Sequence, residues 1–282
     1  RRCSFSALVC GVRDQPDLHS ARHPMGASLS LEGLRIVVTR PREQADDLVR
    51  ELTREGAEVL LAPMIKVEPP ADAIAVTEAL STLESYDWAV FTSSNGVRAF
   101  LPQALRRGTL PEDLKVCAIG EATAAAVRAE GVGVDLIPSR YVAESVIEAF
   151  HQLGDISGLR ILLARAEGAR AVLPAALKAG GADVNDLVVY RTVPDQEGIS
   201  LLQLELANSR VDLITFTSGS AVRSFADFVA EDLARADIAS IGPITSNAIR
   251  ERGWKVDIEA DPYTAAGLVG SIMDFYRNRR VS

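Results

Sequence analysis

The chain has 282 residues, 48% of them hydrophobic and 24% charged, an ordinary globular composition with length enough for two cores. A formal net charge of −8 and 5% aromatic residues argue against a basic nucleic-acid footprint and against a stacking platform for single strands. Cys3, Cys10, Cys117, His19, His23 and His151 show neither metal-ligand nor disulfide spacing, and no apolar run reaches the roughly 18 residues of a membrane span. A reducing cytosol and no metal are expected.

Residues 1–30 begin at Arg1, lack periodicity, and read as a disordered or non-native tail with Met25 as the natural start. An Arg- and Ser-rich import peptide is the alternative, weakened by Asp14 and Asp17. Beyond the tail, short β-branched runs alternate with helical spacing. Residues 36–39 predict a strand and 45–55 a helix. Residues 62–70 then read as an extended connector ending in proline, with an ordinary edge strand as the equal alternative. A strand at 88–92, a helix at 97–106 and strands at 116–119 and 134–137 follow, and residues 187–195 read as a second connector. Strands alternating with helices of about 10–15 residues predict an α/β fold whose parallel sheets are covered on both faces. Ligands bind such sheets beyond the carboxyl ends of the strands.

The chain repeats itself. Leu34 and Leu159 open matching runs (LRIVVTR, LRILLAR), and Gly56 with Gly181 and Phe91 with Phe216 keep the same offset of 125 residues. Gly120 with Gly242 and Tyr141 with Tyr263 follow at an offset of 122. Five ordered anchors predict an internal duplication. If both proline-ended segments are connectors, residues 66–191 form one α/β domain, and 31–65 plus 192–282 form a discontinuous other.

The repeat also marks a candidate anion site. Thr92-Ser93-Ser94-Asn95-Gly96 and Thr217-Ser218-Gly219-Ser220 are hydroxyl-rich turns at the end of a strand that open a helix. Such turns present free N–H groups and the positive end of the helix dipole to a carboxylate or phosphate. Plain N-capping is the bland alternative for either loop alone. Gly120-Glu121-Ala122-Thr123 and Gly242-Pro243-Ile244-Thr245 form a second pair, in which glycine lets a ligand approach the backbone. Arg40 and Arg165 follow the first strand of each repeat, while Lys66 and Arg191 lie in the connectors. Tyr190 stands in the second connector, where it either lines a cleft or is a buried phenol with a satisfied hydroxyl. P-loop, GxGxxG, HExxH and Ser-His-Asp arrangements are absent.

These same residues carry a resemblance. The ordered motifs VVTRP (37–41), APMIKVEP (62–69), VFTSSNGV (90–97), AIGEAT (118–123), VVYRTV (188–193), TFTSGSAV (215–222) and SIGPIT (240–245) resemble the uroporphyrinogen-III synthase family, over residues 31–276. The resemblance implies two flavodoxin-like domains joined by a two-stranded connector, and no cofactor. It implies the substrate hydroxymethylbilane, a linear tetrapyrrole with eight carboxylates. Tyr190 matches the family's candidate acid for hydroxyl departure, and Thr245 matches a threonine facing the cleft. Thr92, Ser93, Ser94, Asn95, Thr217, Ser218, Gly219 and Ser220 are expected to bind substrate carboxylates, with Arg40, Gly120, Thr123 and Gly242. A cytoplasmic monomer without nucleic-acid or membrane partners is expected. The rival is a non-catalytic, two-lobed polyanion or tetrapyrrole receptor, or a regulatory homologue. Retention of Tyr190, and no helix-turn-helix segment beyond the last helix, favour the enzyme.

Overall fold

The computed structural model describes residues 30–138, 143–208, 210–229 and 236–281. The tail expected over residues 1–30 lies outside these, Ser30 excepted, as does Tyr141 of the repeat. The chain starts with β1 (Arg35–Val38), α1 (Asp46–Arg54) and β2 (Glu58–Leu61). It leaves through β3 (Ile65–Glu68) into α2 (Ala73–Ser81), β4 (Trp88–Phe91), α3 (Ser94–Leu105), β5 (Lys115–Ala118) and α4 (Glu121–Ala129). Next come α5 (Ala143–Gln152), β6 (Arg160–Ala166), α6 (Val172–Ala179) and the long β7 (Asp183–Pro194). It ends with α7 (Gln196–Asn208), β8 (Leu213–Phe216), α8 (Gly219–Phe228), β9 (Asp237–Ser240), α9 (Pro243–Glu251), β10 (Ile258–Glu259) and α10 (Ala265–Val281).

These strands form two five-stranded sheets. The first, in the order β10-β9-β8-β1-β2, is parallel throughout. The second, β3-β7-β6-β4-β5, is parallel except where β3 runs antiparallel to the end of β7, from Ile65 opposite Pro194 to Glu68 opposite Arg191. Side chains alternate across each strand, so every sheet fills two cores. Ile36 and Val38 pack with Leu48 of α1 and Leu268 of α10, while Val37 points the other way toward Leu202, Phe225 and Ile249 of α7, α8 and α9. In the second sheet Phe91 and Leu162 meet Val76, Phe100 and Val127 of α2, α3 and α4. Val90 and Leu163 meet Phe150 and Leu177 of α5 and α6.

Aspartates just outside the strands fix the pairing, and they recur at the repeat's spacing. The Asp87 carboxylate accepts from Arg160 N at 2.7 Å, and Asp212 accepts from Arg35 N at 2.9 Å. Asp135 and Asp257 do the same for Val116 N and Ile238 N, at 2.7 and 3.0 Å. The strand expected over 134–137 is reduced to a single bridge between Leu136 and Cys117, beside the Asp135 carboxylate on Val116 N. Among the described residues no helix is long and apolar enough to cross a membrane.

Candidate active site

Tyr190 sits where β7 changes partners. Residues before it pair with β6, residues after it pair with β3, and the register slips at Ala166. Its ring is 7% exposed and its hydroxyl lies 3.0 Å from Ser93 Oγ. Ser93 is itself fixed: it is the extended N-cap of α3, and its Oγ accepts from Gly96 N at 3.1 Å. Position 96 must be small, since a Cβ there would stand 3.0 Å from the Ala164 carbonyl oxygen. Tyr190 is therefore a buried phenol with a satisfied hydroxyl. Ser218 caps α8 in the same way, accepting from Ala221 N at 3.2 Å. The position that corresponds to Tyr190 there is Ile65, so only one side of the repeat carries a phenol.

The Tyr190 ring borders two grooves. The first, of about 320 Å³, is lined by Gln44, Glu68, Asn95, Arg98 and Val189. Gln44 Nε2 donates to Asn95 Oδ1 at 3.0 Å, tying the turn after β1 to the start of α3 on the other sheet. The second, of about 430 Å³, is lined by Glu167, Gly168, Thr192, Ser220 and Arg223. Lys66 on β3 and Arg191 on β7 both reach Glu68 at 2.9 Å. The hydrogen bond from Lys66, with help from Arg191, holds the Glu68 carboxyl below the usual carboxylate range.

The remaining candidates divide between the sheets. Ser94 Oγ donates to the Ala122 carbonyl at 3.0 Å, which brings the loop with Thr92 and Asn95 against the loop with Gly120 and Thr123. Gly120 and Gly242 open α4 and α9 at φ of 126° and 158°, in the left-handed region that favours glycine, and neither helix has a side-chain cap. Thr123 and Thr245 lie buried in the first turns. Thr245 lines a third cavity, of about 390 Å³, with Thr217, Ser218, Gly219, Gly242 and Tyr263. Tyr190 and Thr245 thus face different cavities. Ser220 Oγ accepts from Arg223 at 3.1 Å. Arg165 is buried, 3.2 Å from Asp186, whereas Arg40 is half-buried with a pKa lowered by burial first and by the charge of Arg98 second.

A family model described as uroporphyrinogen-III synthase HemD matches residues 46–270. The chain belongs to the uroporphyrinogen-III synthase family. The uroporphyrinogen-III synthase of Synechococcus elongatus is 32% identical over 267 residues, covering 89% of this chain and 98% of its own. That of Chlorobaculum parvum is 30% identical over 249 residues, covering 85% and 98%. Crystal structures of a mutant uroporphyrinogen III synthase from Thermus thermophilus (TM-score 0.64, 20% identity, 87% of this chain and 99% of that one) and of the Helicobacter pylori enzyme (TM-score 0.58, 17%, 86% and 99%) share the fold. Sequence reasoning about this synthase family member missed Gln44, Glu68, Arg98 and Tyr263. Arg98 had a signal, because it recurs as Arg223 at the offset of 125, whereas Gln44 had none.

Proposed function

We propose that this chain is a uroporphyrinogen-III synthase, a lyase that closes hydroxymethylbilane with loss of water and inversion of ring D in haem biosynthesis. The observation that carries this reading is the family match over residues 46–270. The C–O bond of the terminal hydroxymethyl group on ring A breaks, its protonated hydroxyl leaves as water, and the remaining methylene becomes part of an azafulvene cation. Ring D attacks through its substituted carbon to give a spiro intermediate, which fragments and re-closes with ring D inverted. Left alone, the cation closes directly to the unrotated isomer, so the protein's main work is to hold the conformation that permits the detour. Tyr190 donates a proton to the departing hydroxyl. The proton released at the last ring closure restores the phenol.

The anionic substrate is held by helix N-termini. Gly120 and Gly242 leave the first N–H groups of α4 and α9 without a side-chain cap. Thr92, Ser93, Ser94, Asn95, Thr217, Ser218, Gly219 and Ser220 add donors, Arg40 adds charge, and Thr123 and Thr245 close the two glycine loops. The chain divides into residues 31–65 plus 192–282 and residues 66–191, with the β3–β7 pair as the connector, and it arose by duplication. It works as a cytoplasmic monomer without nucleic acid.

The test generates hydroxymethylbilane in situ with its own synthase, adds the purified chain, oxidises the products and separates the isomers. Predominantly type III product that depends on this chain is expected. Type I product alone, from a folded sample, would replace the reading by a non-catalytic tetrapyrrole receptor.

A further inference from the structure

By strand alternation Tyr190 belongs on the other face of the second sheet. Val184 of β7 packs toward α5 and α6, whereas Leu187 and Val189 pack toward α2, α3 and α4. Even-numbered residues of β7 therefore face one way and odd-numbered residues the other. Tyr190 nevertheless packs with Leu187 and Val189, on the side of α3. The register slip accounts for this. Arg165 stands opposite Val188 and Ala166 opposite Tyr190, so Val189 is one residue in excess and the alternation flips after it. Bulges of this kind re-aim a side chain and are over-represented beside active sites. Here the flip brings the Tyr190 hydroxyl to 3.0 Å from Ser93 Oγ.

Arg165 holds the chain on both sides of the slip. It is the last residue of β6 in register and is 4% exposed. Its Nη1 lies 3.2 Å from the carboxylate of Asp186, which stands opposite Leu163 ahead of the extra residue. Its Nη2 donates to the Arg170 carbonyl at 2.8 Å. The planar guanidinium thus ties β7 to the turn of residues 167–170 that follows β6. From that turn the Glu167 N–H donates to the Tyr190 carbonyl at 2.8 Å. The matched strands of the first sheet pair without a slip, from Arg35 opposite Glu58 to Val38 opposite Leu61. There Leu61 holds the place of Asp186, and Ile65 that of Tyr190, 125 residues earlier. The carboxylate for the arginine is present on the side that carries the phenol.

We propose that Arg165 is a positioning residue for Tyr190: through Asp186 and the turn of residues 167–170 it fixes the bulge that turns the phenol toward Ser93 and the two grooves. The reaction that Tyr190 serves rests on the synthase reading above. Arg165 lies away from both grooves and touches no substrate, so its loss lowers kcat and leaves KM in place. A small displacement of an acid from its proton's target is costly in rate even when the fold survives.

The test reads Tyr190 directly and then through turnover. The full chain is labelled with carbon-13 at tyrosine Cζ, and the Tyr190 resonance is the one that Tyr190→Phe removes. Arg165→Met and Asp186→Asn should each move it, while the Tyr276 resonance of the other sheet stays in place and shows that the fold is kept. In the isomer assay Arg165→Met should lower kcat for type III product about tenfold, with KM within about twofold of wild type. In the Tyr190→Phe background the same substitution should lower kcat less than about twofold, because the residue it acts through is gone. Should Arg165→Met fail to fold, Asp186→Asn, which keeps an acceptor and removes only the charge, carries the same readings. An unmoved Tyr190 resonance, an equal fall of kcat in both backgrounds, or a rise in KM with kcat unchanged would overturn the assignment and leave the synthase reading intact. Type I product alone from the wild type, with the Tyr190 resonance moved in the variants, sinks the synthase reading and keeps Arg165 as the residue that sets Tyr190.

Discussion

The two sheets solve one problem with differently ordered chains. Read from β2, the first sheet runs β2-β1-β8-β9-β10, and read from β7, the second runs β7-β6-β4-β5. Matched elements hold matched places in these two runs: β1 and β6 stand second, β8 and β4 third, and β9 and β5 fourth. Yet in the second sheet these strands come from one unbroken stretch, while the first sheet is interrupted after β2 and resumed at β8. What both share is local: an aspartate that receives the neighbouring strand's first N–H, a fully buried phenylalanine at the strand end, and a serine cap. Strand order here follows from these anchors and from which faces are apolar, and chain continuity is dispensable.

The comparison breaks or sharpens at definite places. Phe91 and Phe216 are both 0% exposed, and each should cost about 3–5 kcal/mol when cut to alanine. One core cluster draws on both sheets, through Ile65 of β3, which packs with Phe216; Phe91 lies in a cluster of the second sheet alone, so Phe91→Ala should move only the second sheet's unfolding transition and Phe216→Ala chiefly the first's. Trp88 reports the second sheet and Trp254, packed on Phe225 at 5.6 Å, reports the first. Urea unfolding of single-tryptophan variants reads them separately, and coincident shifts would make the two sheets one cooperative unit.

Gly198, at the return crossing, is the sharpest mismatch. A Cβ there would lie 2.0 Å from the Pro63 carbonyl oxygen, whereas its counterpart, exposed Ala73, opens α2 freely. Gly198→Ala should cost about 3 kcal/mol, and Ala73→Gly about 1 kcal/mol, by the same unfolding measurement. Tyr190→Phe removes the phenol that Ile65 already lacks on the other side. Turnover to the type III isomer should fall about a hundredfold, with about 1 kcal/mol lost from stability for the Ser93 hydrogen bond. Wild-type turnover in the folded variant would assign Tyr190 to structure alone.

Cys117 is replaced by Ala239 at the matched position. Burial pushes its thiol up to about 12. The folded state therefore keeps a proton that the unfolded chain gives up at ordinary thiol pKa, and stability falls as pH rises through that window. Between about pH 9 and 11 the second sheet should lose about 1.4 kcal/mol per pH unit more in the wild type than in Cys117→Ala. Urea midpoints across that range test it. The smallest effect is at the caps: Ser218→Ala should cost about 1 kcal/mol, and Ser93→Ala somewhat more because the Tyr190 hydroxyl also loses a partner, as differential scanning calorimetry would show.

Elements with a dense local code were legible. The strands at 36–39, 88–92 and 116–119 appear within a residue as β1, β4 and β5, since each is a continuous apolar run buried on both faces. The helix expected from 97 begins at Ser94, because the Ser93 cap starts it earlier than the apolar spacing does. Residues 134–137 read as a strand, yet only Leu136 bridges to β5. Charge was the least legible property. Arg165, Lys66 and Arg191 look like ligand cations in sequence, and only the fold brings Asp186 and Glu68 to them. The Ser93–Tyr190 contact joins residues 97 apart and has no local trace either.

The interruption of the first sheet also has a cost during synthesis. When β2 leaves the ribosome, β1 has one neighbour, and its other edge waits for β8, about 150 residues later. At about 5–20 residues per second that wait lasts roughly 8–30 s. The second sheet can complete itself within it, while Ile36, Val37 and Val38 stay open to any passing strand. A nascent chain stalled between β7 and β8 should therefore need chaperone cover for its N-terminal segment and none for the sheet made after it.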